Sequence, residues 1–232
     1  MIYVMSDIHG EYEKYIKMLE LINFSDEDEL YILGDIVDRG KEPVKVLLDT
    51  MSRANVFPVM GNHDLLALDI MKKLCVDIKE ENFATQVDIS VMNEVLDWFN
   101  DGGMTTLEKF RELDKTQRRK VIEYLESFPL CEIAEANENI FILVHAGLGN
   151  FSKNKKLKDY TPEEILLYRT NPDIRLFDDD TVYVVSGHTP TQTITGKSEI
   201  YIKNNNICID CGACFGGRLG CLCLDTMEEF YV

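Results

Sequence analysis

The sequence predicts a layered α/β fold, because short apolar runs recur along it and amphipathic stretches separate the first three of them. Each run is too short for a helix and is bounded by turn residues, which is typical of a buried strand. The runs cover residues 2–5, 30–33, 56–60, 140–144 and 182–185. Residues 11–22 place apolar side chains on one helical face, and Pro43 begins a second such stretch. Strand, helix and strand in succession begin a layered α/β fold.

A helical segment separates the third and fourth runs. Within residues 65–130 the pattern predicts helices at 65–74, 89–99 and 116–128. No low-complexity or Pro/Gly/Ser-rich linker flanks this segment, so we interpret it as a helical insertion in a single domain of residues 1–232. The C-terminal third is predicted to be mostly β, with a hairpin around residues 204–206 and another strand at 219–224. Thr161-Pro162-Glu163-Glu164 is a capping box, which predicts a short helix that carries Arg169.

The charge balance narrows the possible partners. The chain has 24 Lys and Arg residues against 41 Asp and Glu residues, a net charge of -17. This excess of acid disfavours a surface for nucleic acid or anionic membrane. The N-terminus does not read as a secretion signal, no apolar run approaches the length of a membrane span, and seven cysteines without such a signal favour reduced thiols. We therefore expect a cytoplasmic protein; its oligomeric state is not indicated.

Imidazole and carboxylate side chains cluster at the ends of the predicted strands. The sequence has four histidines, each within a few residues of the end of an apolar run: His9, His63, His145 and His188. Asp7, Asp35 and Asn62 lie in the same positions, and strand ends are where ligands bind in open α/β sheets. Imidazole with oxygen ligands suits Mn²⁺, Fe or Zn²⁺ better than Mg²⁺. Seven such residues are more than one ion needs, so the pattern predicts two metal ions, an arrangement that hydrolyses phosphate esters.

The same residues resemble the signature of a known family. The motifs are Asp7-Ile8-His9-Gly10, Gly34-Asp35-Ile36-Val37-Asp38-Arg39-Gly40, Gly61-Asn62-His63-Asp64, His145-Ala146-Gly147, Gly187-His188-Thr189, Ile209-Asp210-Cys211-Gly212 and Phe215-Gly216-Gly217-Arg218-Leu219. In order and spacing they resemble the phosphoprotein phosphatase family of metallophosphoesterases, nearest to its bacterial and phage branch. The resemblance covers nearly the whole chain. It implies a four-layer fold, with a central mixed β-sandwich flanked by helices.

The resemblance also implies a ligand set. Asp7 and His9 would hold one ion, Asp35 would bridge both, and the second ion would be held by Asn62, His145 and His188. The cofactor would be two divalent or transition metal ions, with Mn²⁺ first and Fe or Zn²⁺ as alternatives. A hydroxide bridging the two ions would then attack phosphorus in line, without a covalent phosphoenzyme.

Four further residues are candidates for catalysis. His63, oriented by Asp38, is the candidate general acid for the leaving group. Arg39 and Arg169 would bind the phosphate oxygens, a task that suits the two-pronged guanidinium. Arg175 is the substitute for Arg169.

Substrate class is where two readings remain open. Asp38 beside Arg39 favours a phosphomonoesterase that acts on Ser/Thr phosphoproteins, since dinucleoside tetraphosphatase relatives usually have Ala before that Arg. Met60 stands where many protein phosphatases carry Arg, and Asp64 where eukaryotic members have Glu, so turnover of small phosphate esters is also expected. The alternative is a symmetrical dinucleoside polyphosphate (diadenosine tetraphosphate) hydrolase, which uses the same metals.

Two other stretches have competing interpretations. Five cysteines lie within sixteen residues, and part of their spacing resembles an iron–sulfur ligand run: Cys208, Cys211, Cys214, Cys221 and Cys223. We favour the alternative that they are small buried side chains on packed strands. The stretch from Trp98 to Thr106 is interpreted as a helix that ends at a Gly turn, in preference to a direct substrate contact.

Overall fold

Two mixed sheets form the centre of the molecule. The computed structural model describes residues 1–75 and 89–232. Ten strands lie in these ranges: β1 Ile2–Met5, β2 Glu29–Ile32, β3 Val56–Pro58, β4 Cys131–Ala136, β5 Asn139–Val144, β6 Val182–Ser186, β7 Tyr201–Lys203, β8 Asn206–Cys208, β9 Gly220–Cys223 and β10 Glu229–Tyr231. The first sheet has the order β10-β9-β1-β2-β3 and the second has the order β4-β5-β6-β8-β7. Pro58, which cannot donate a ladder hydrogen bond, lies on the edge strand β3.

Helices flank the two sheets. In the described part of the chain the α-helices are α1 Tyr12–Leu21, α2 Pro43–Ser52, α3 Asn62–Cys75, α4 Ile89–Asn100, α5 Met104–Glu112, α6 Lys115–Glu126, α7 Pro162–Leu166 and α8 Thr191–Thr195. The predicted fold class, a mixed β-sandwich flanked by helices, is confirmed. None of the helices in residues 1–75 and 89–232 is both long and apolar enough to cross a membrane.

Side chains alternate between two cores along each strand. On β5, Phe141 and Leu143 pack into a cluster made of strand and loop residues from both sheets. Ile142 and Val144 point the other way, into a cluster that includes side chains of α1, α2 and α3. This period of two is expected for a strand that is covered on both faces. The sandwich therefore fixes the positions of the strand ends, where the candidate residues lie.

Parallel pairing brings those strand ends together. β1, β2 and β3 run parallel, as do β5, β6 and β8. The loops after β1 and β2 carry Asp7 and Asp35, the loop after β3 leads to Asn62 at the start of α3, and the loops after β5 and β6 carry His145 and His188. Each sheet thus presents its share of the candidate ligands at a single edge, as parallel strands require.

Five elements differ from the sequence-based prediction, because α8 and β10 were also not predicted. β4 was missed because its core-facing residues, Ala134 and Ala136, are small and alternate with charged ones. α5 was missed because Thr106 and Phe110 are its only buried residues. The prediction that a helix carries Arg169 is wrong, since α7 ends at Leu166. Gly149 and Ala146 donate backbone hydrogen bonds to the carbonyls of Glu164 and Ile165, both at 2.9 Å, in place of the donors that a longer helix would supply.

Candidate active site

The loops after β1 and β2 are joined by backbone hydrogen bonds. Asp7 N–H donates to Gly34 O at 3.1 Å, and His9 N–H donates to Asp35 O at 2.8 Å. Asp7, His9 and Asp35 have φ of 52°, 43° and 52°, a left-handed conformation that is uncommon for residues with a side chain. Such strain persists only where the surrounding structure enforces it, and it concentrates at functional sites. The two loops therefore hold their side chains in a fixed arrangement.

Asp35 lies between two histidines from different sheets. Its Oδ2 is 3.5 Å from His9 Nε2 and 3.5 Å from His145 Nε2. Ligand atoms within 4.8 Å of one another form two groups in the described residues, His9 with Asp35 and His63, and Asp35 with His145 and His188. One carboxylate thus belongs to both groups, as a bridge between two ions would. Its Oδ1 accepts a hydrogen bond from His63 N–H at 2.9 Å.

The backbone aims both imidazoles at Asp35. His9 Nδ1 lies 2.8 Å from Val37 O, and His145 Nδ1 lies 2.7 Å from Leu33 O. With the ring proton on Nδ1, each Nε2 is an acceptor directed at the site. His145 Nε2 lies 2.8 Å from Asn62 Oδ1, which is another acceptor. A cation shared by these facing lone pairs would stabilise the contact, so the donor set fits metal ions.

Asp7 ties the two sheets together. Its Oδ2 accepts hydrogen bonds from the Ser6 hydroxyl and from His188 N–H, the latter at 3.0 Å. A Cβ added at Gly187 would lie 2.1 Å from the same oxygen, so only glycine fits between the two loops. Neither ligand group of the described residues includes Asp7, whereas one includes His63. The structure thus places Asp7 beside His188 and His63 beside His9.

Burial makes these groups unstable in their usual charge states. Burial raises the pKa of Asp7 and of Asp35, and the negative charge of Asp35 raises the pKa of Asp7 further. Burial, aided by the charge of Arg39, lowers the pKa of His9. Burial lowers the pKa of His188 to about 3, with His145 and Arg169 as further causes. Crowded carboxylates with imidazoles that resist protonation are a set of ligands that cations relieve.

Asp38 and His63 form a buried pair. His63 Nδ1 lies 2.7 Å from Asp38 Oδ2, and Asp38 is fully buried. Burial alone would lower the pKa of His63, but the hydrogen bond to Asp38 and the charge of Asp35 outweigh burial and raise it. Trp98 and Thr106 also contact Asp38, at 2.8 Å and 2.6 Å. The interpretation of the stretch between them as a helix end is confirmed, but its contacts to Asp38 were not foreseen.

Arg39 extends over the imidazoles. Its Nη1 is 2.6 Å from His9 Nε2, and its Nη2 is 2.8 Å from His63 Nε2. The guanidinium also donates to Asp101 Oδ1 at 3.0 Å and stacks on the Phe215 ring at 5.1 Å. An anion bound between the two histidines would therefore meet this cation.

The two other candidate arginines have different surroundings. Arg169 Nη1 donates to Thr189 Oγ1 at 3.3 Å, directly after His188. Arg175 donates to the Phe177 carbonyl and pairs with Asp180. Arg169 therefore lies beside the site, whereas the guanidinium of Arg175 is bonded to Phe177 and Asp180.

Asp64 is a further site residue, which the sequence reasoning noted only as a departure from a motif. It is fully buried, and its carboxylate accepts hydrogen bonds from the N–H groups of Ile36 at 3.0 Å, Val37 at 3.3 Å and Gly61 at 3.2 Å. Burial and the nearby Asp35 raise its pKa. The carboxylate joins the loop that carries Asp35 to the start of α3. Its position directly after His63 was the available signal.

Four of the five clustered cysteines are buried, and Cys214 is half-buried. Cys208 lies on β8 in the second sheet, whereas Cys221 lies on β9 in the first. Burial raises the pKa of Cys208 to about 11 and that of Cys211 to about 12, so these thiols stay protonated. The ligand groups found in the described residues contain no cysteine. This arrangement favours buried packing over an iron–sulfur site.

The site has a buried part and an exposed part. We call Asp7, His9, Asp35, His63 and His145 the buried centre, since each is at most 4% exposed. We call the exposed residues around it the rim: Leu65, Asp101, Leu167, Arg169 and Phe215. Two residues of the rim, Leu65 and Leu167, also line an apolar groove of about 500 Å³ between α3 and α7, whose lining includes Asn62, Leu66 and Leu166.

Comparison with known proteins identifies the family. The profile of calcineurin-like phosphoesterases matches residues 1–192. The chain belongs to this family. Metallophosphoesterase chemistry with dinuclear-site-like residues is thereby supported, while the Ser/Thr phosphatase branch and the identity of the metals stay predictions.

Two relatives and one solved structure carry nucleotide-related names. The PrpE bis(5'-nucleosyl)-tetraphosphatase [asymmetrical] of Geobacillus sp. (strain WCH70) is 26% identical, over 93% of this chain and 87% of its own length. The symmetrical bis(5'-nucleosyl)-tetraphosphatase of Wigglesworthia glossinidia brevipalpis is 32% identical, but the match spans 48% of this chain and only 42% of that relative. A solved structure of a proposed diadenosine tetraphosphatase shares the fold with a TM-score of 0.65 at 19% identity, covering 100% of this chain and 92% of the other.

Proposed function

We propose that the protein is a two-metal hydrolase of small phosphate esters and anhydrides, with dinucleoside polyphosphates as its substrate class. The observation that carries the two-metal part is the position of Asp35, whose carboxylate belongs to both groups of ligand atoms. Two ions would be held by Asp7, His9 and Asp35 on one side and by Asp35, Asn62, His145 and His188 on the other. Bound there, they supply an acidified water and neutralise charge on the phosphate. Three imidazoles favour Mn²⁺, with Fe or Zn²⁺ as alternatives.

The chain's own residues bind the phosphate and donate a proton. Arg39 already reaches both His9 and His63, so its two nitrogens are placed to bind two oxygens of one phosphate. Arg169, beside His188, would bind the phosphate from the other side. His63 Nε2 faces this space while its Nδ1 is held by Asp38. His63 is therefore the proposed general acid, which protonates the leaving oxygen.

The sequence favours phosphoproteins as substrates. Two observations support dinucleoside polyphosphates instead. A relative aligned over most of both chains is named for that substrate class. The apolar groove begins at Asn62, a proposed ligand, and its volume of about 500 Å³ suits a nucleoside next to a bound phosphate. Its four leucines offer a nucleobase an apolar surface.

A Ser/Thr phosphoprotein substrate is the second candidate. The observation in its favour is the well-bonded Asp38–His63 pair, because a general acid helps most when the leaving group is a basic alkoxide such as the serine oxygen.

The single-domain organisation over residues 1–232 and the cytoplasmic location also stay predictions.

The deciding experiment compares substrates under one set of conditions. Purified protein with Mn²⁺ is given diadenosine tetraphosphate, a phosphoserine peptide, a phosphotyrosine peptide and p-nitrophenyl phosphate at equal concentration. We expect kcat/KM for the dinucleotide to exceed that for the peptides more than about tenfold, a difference of roughly 1.4 kcal/mol in transition-state binding. A tenfold preference for the phosphoserine peptide would instead establish the second candidate. Chromatography of the nucleotide products separates symmetrical from asymmetrical cleavage.

A further inference from the structure

We call the turn at residues 101–103 and the helix ends on either side of it the α4–α5 corner. Two side chains of this corner contact Asp38. Trp98, in the last turns of α4, and Thr106, in the first turn of α5, are both fully buried. The Trp98 indole Nε1–H donates to Asp38 Oδ2 at 2.8 Å. The Thr106 hydroxyl donates to Asp38 Oδ1 at 2.6 Å and accepts from Asp38 N–H at 2.9 Å. Residues about 60 positions further along the chain thus bind both oxygens of this carboxylate.

These contacts determine where Asp38 can point. Asp38 Oδ2 accepts hydrogen bonds from both Trp98 Nε1–H and His63 Nδ1–H. The Thr106 hydroxyl binds Asp38 Oδ1 and the backbone N–H of Asp38. Asp38 has a φ of 70°, a strained conformation for a residue with a side chain. A strained and buried carboxylate keeps one orientation only while all its donors are present. The imidazole of His63, which Asp38 orients, therefore also depends on these donors.

The corner itself is tightly built. Gly102 O accepts from Arg39 N–H at 3.0 Å, and Gly103 N–H donates to Trp98 O at 2.9 Å. A Cβ added at Gly103 would lie 2.2 Å from the Trp98 ring, so the chain turns directly against the indole. This close approach fixes the indole N–H relative to the loop that carries Asp38 and Arg39.

We propose that Trp98 and Thr106 are positioning residues for proton transfer by His63, a role that rests on the proposed function. They hold Asp38 so that its Oδ2 retains the Nδ1–H of His63, which keeps Nε2–H directed at the leaving group. When the bond from phosphorus to the leaving oxygen breaks, that oxygen takes the Nε2 proton. Water supplies the oxygen that joins phosphorus, and solvent returns a proton to Nε2. Trp98 and Thr106 touch neither the substrate nor the reacting atoms.

Two conservative variants separate this role from packing. Trp98→Phe keeps an aromatic ring in the core but removes the N–H donor, and Thr106→Val keeps the shape of the side chain but removes the hydroxyl. Thr105→Val is the matched control, because among the described residues this neighbouring hydroxyl donates to the Gly102 carbonyl, at 3.2 Å, and not to Asp38. Thr106→Ser restores the hydroxyl and should rescue the activity that Thr106→Val loses.

The measurement is kcat/KM with Mn²⁺ on an alkyl ester, β-glycerol phosphate, and on an aryl ester, p-nitrophenyl phosphate. We expect Trp98→Phe and Thr106→Val to lose about 10- to 100-fold on the alkyl ester, the usual effect of removing a group that orients an active-site residue, and several-fold less on the aryl ester. Thr105→Val should stay within about twofold of the parent on both esters, since it leaves the contacts of Asp38 intact. Equal losses on the two esters would overturn the inference.

A double-mutant cycle with His63→Asn completes the test. Once His63 is replaced, Trp98→Phe and Thr106→Val should cause no further change in the alkyl-to-aryl ratio, because the proton donor is gone. A further change would overturn the proposed role. If His63→Asn itself shows no bias between the esters, the proposed acid is wrong. If His63→Asn shows the bias and the two corner variants do not, only the present inference fails. Metal content and thermal unfolding of each variant exclude loss of the ions or of the fold as the cause.

Discussion

The buried centre and the rim of the site are built in different ways. In the centre, the imidazoles of His9 and His145 are each oriented by a backbone carbonyl, and the sheets fix where those carbonyls lie. In the rim, Leu167 is 56% exposed and Phe215 is 62% exposed. The rim comes from helices and loops, whereas four of the five residues of the centre follow core strands and His63 lies in the first turn of α3. From this difference we propose that the sandwich determines the chemistry and that the rim selects the substrates that reach it.

The largest expected effect comes from Asp35→Asn. Because the carboxylate is shared by both groups of ligand atoms, its loss should reduce the bound metal and lower kcat/KM at least about 100-fold, the upper range for residues that only support ligands. Metal analysis and the p-nitrophenyl phosphate assay measure both. Asp101→Asn is the matched change on the rim, and the metal content should not respond to it. Full activity of Asp35→Asn after chelation would contradict the two-metal proposal.

The two arginines should differ in size and kind of effect. Arg39→Ala removes a half-buried cation from above the imidazoles, and we expect kcat to fall roughly 10²-fold, as for other preorganised donors to a transition state. Arg169→Ala removes an exposed cation, worth about 0.2–1 kcal/mol, so KM should rise about two- to fivefold with little change in kcat. Steady-state kinetics with Mn²⁺ distinguishes these outcomes. Similar losses of kcat in both variants would place Arg169 with the centre.

The apolar groove should matter only for large substrates. Leu167→Glu places a charge where a nucleobase is proposed to lie, and we expect kcat/KM for diadenosine tetraphosphate to fall about tenfold, close to the contribution of one buried leucine contact. The p-nitrophenyl phosphate reaction should change little, because this substrate has no nucleoside to place in the groove. Leu21→Glu on α1, another exposed leucine, is the control. Equal effects of Leu167→Glu on both substrates would remove the groove from the proposed function.

The smallest effect concerns the helix that borders the groove. Thr161 caps α7 in a capping box with Glu164, and Lys155 pairs with the same glutamate at 2.6 Å. Thr161→Ala should lower the free energy of unfolding by about 1 kcal/mol, the usual value of an N-cap, and Tm by about 2–4 °C. Thermal unfolding followed by circular dichroism tests this, with the exposed Thr116→Ala as control. A loss of p-nitrophenyl phosphate activity in Thr161→Ala would contradict the separation of centre and rim.

The sequence predicts the strands of the centre well because they depend on local patterns. Each histidine follows a short apolar run, and that regularity survives in the structure, where the loops after β1, β2, β5 and β6 converge. The contacts of Trp98 and Thr106 to Asp38 are not readable from the chain, because they join residues about 60 positions apart. The end of α7 was misplaced for a related reason, since hydrogen bonds from the loop after β5 take up the carbonyls of Glu164 and Ile165.

The left-handed backbone at Asp7, His9, Asp35 and His188 has a consequence for any attempt to transplant the site. Each such residue costs about 1–3 kcal/mol relative to a relaxed chain, a cost that the surrounding hydrogen bonds must offset. A peptide with the same motif would relax out of this geometry, and its ligand atoms would no longer converge. The arrangement of the motif therefore depends on the packing of the two sheets. A designer who grafts it onto another scaffold must reproduce the bonds from Asp7 N–H to Gly34 O and from His9 N–H to Asp35 O along with the side chains.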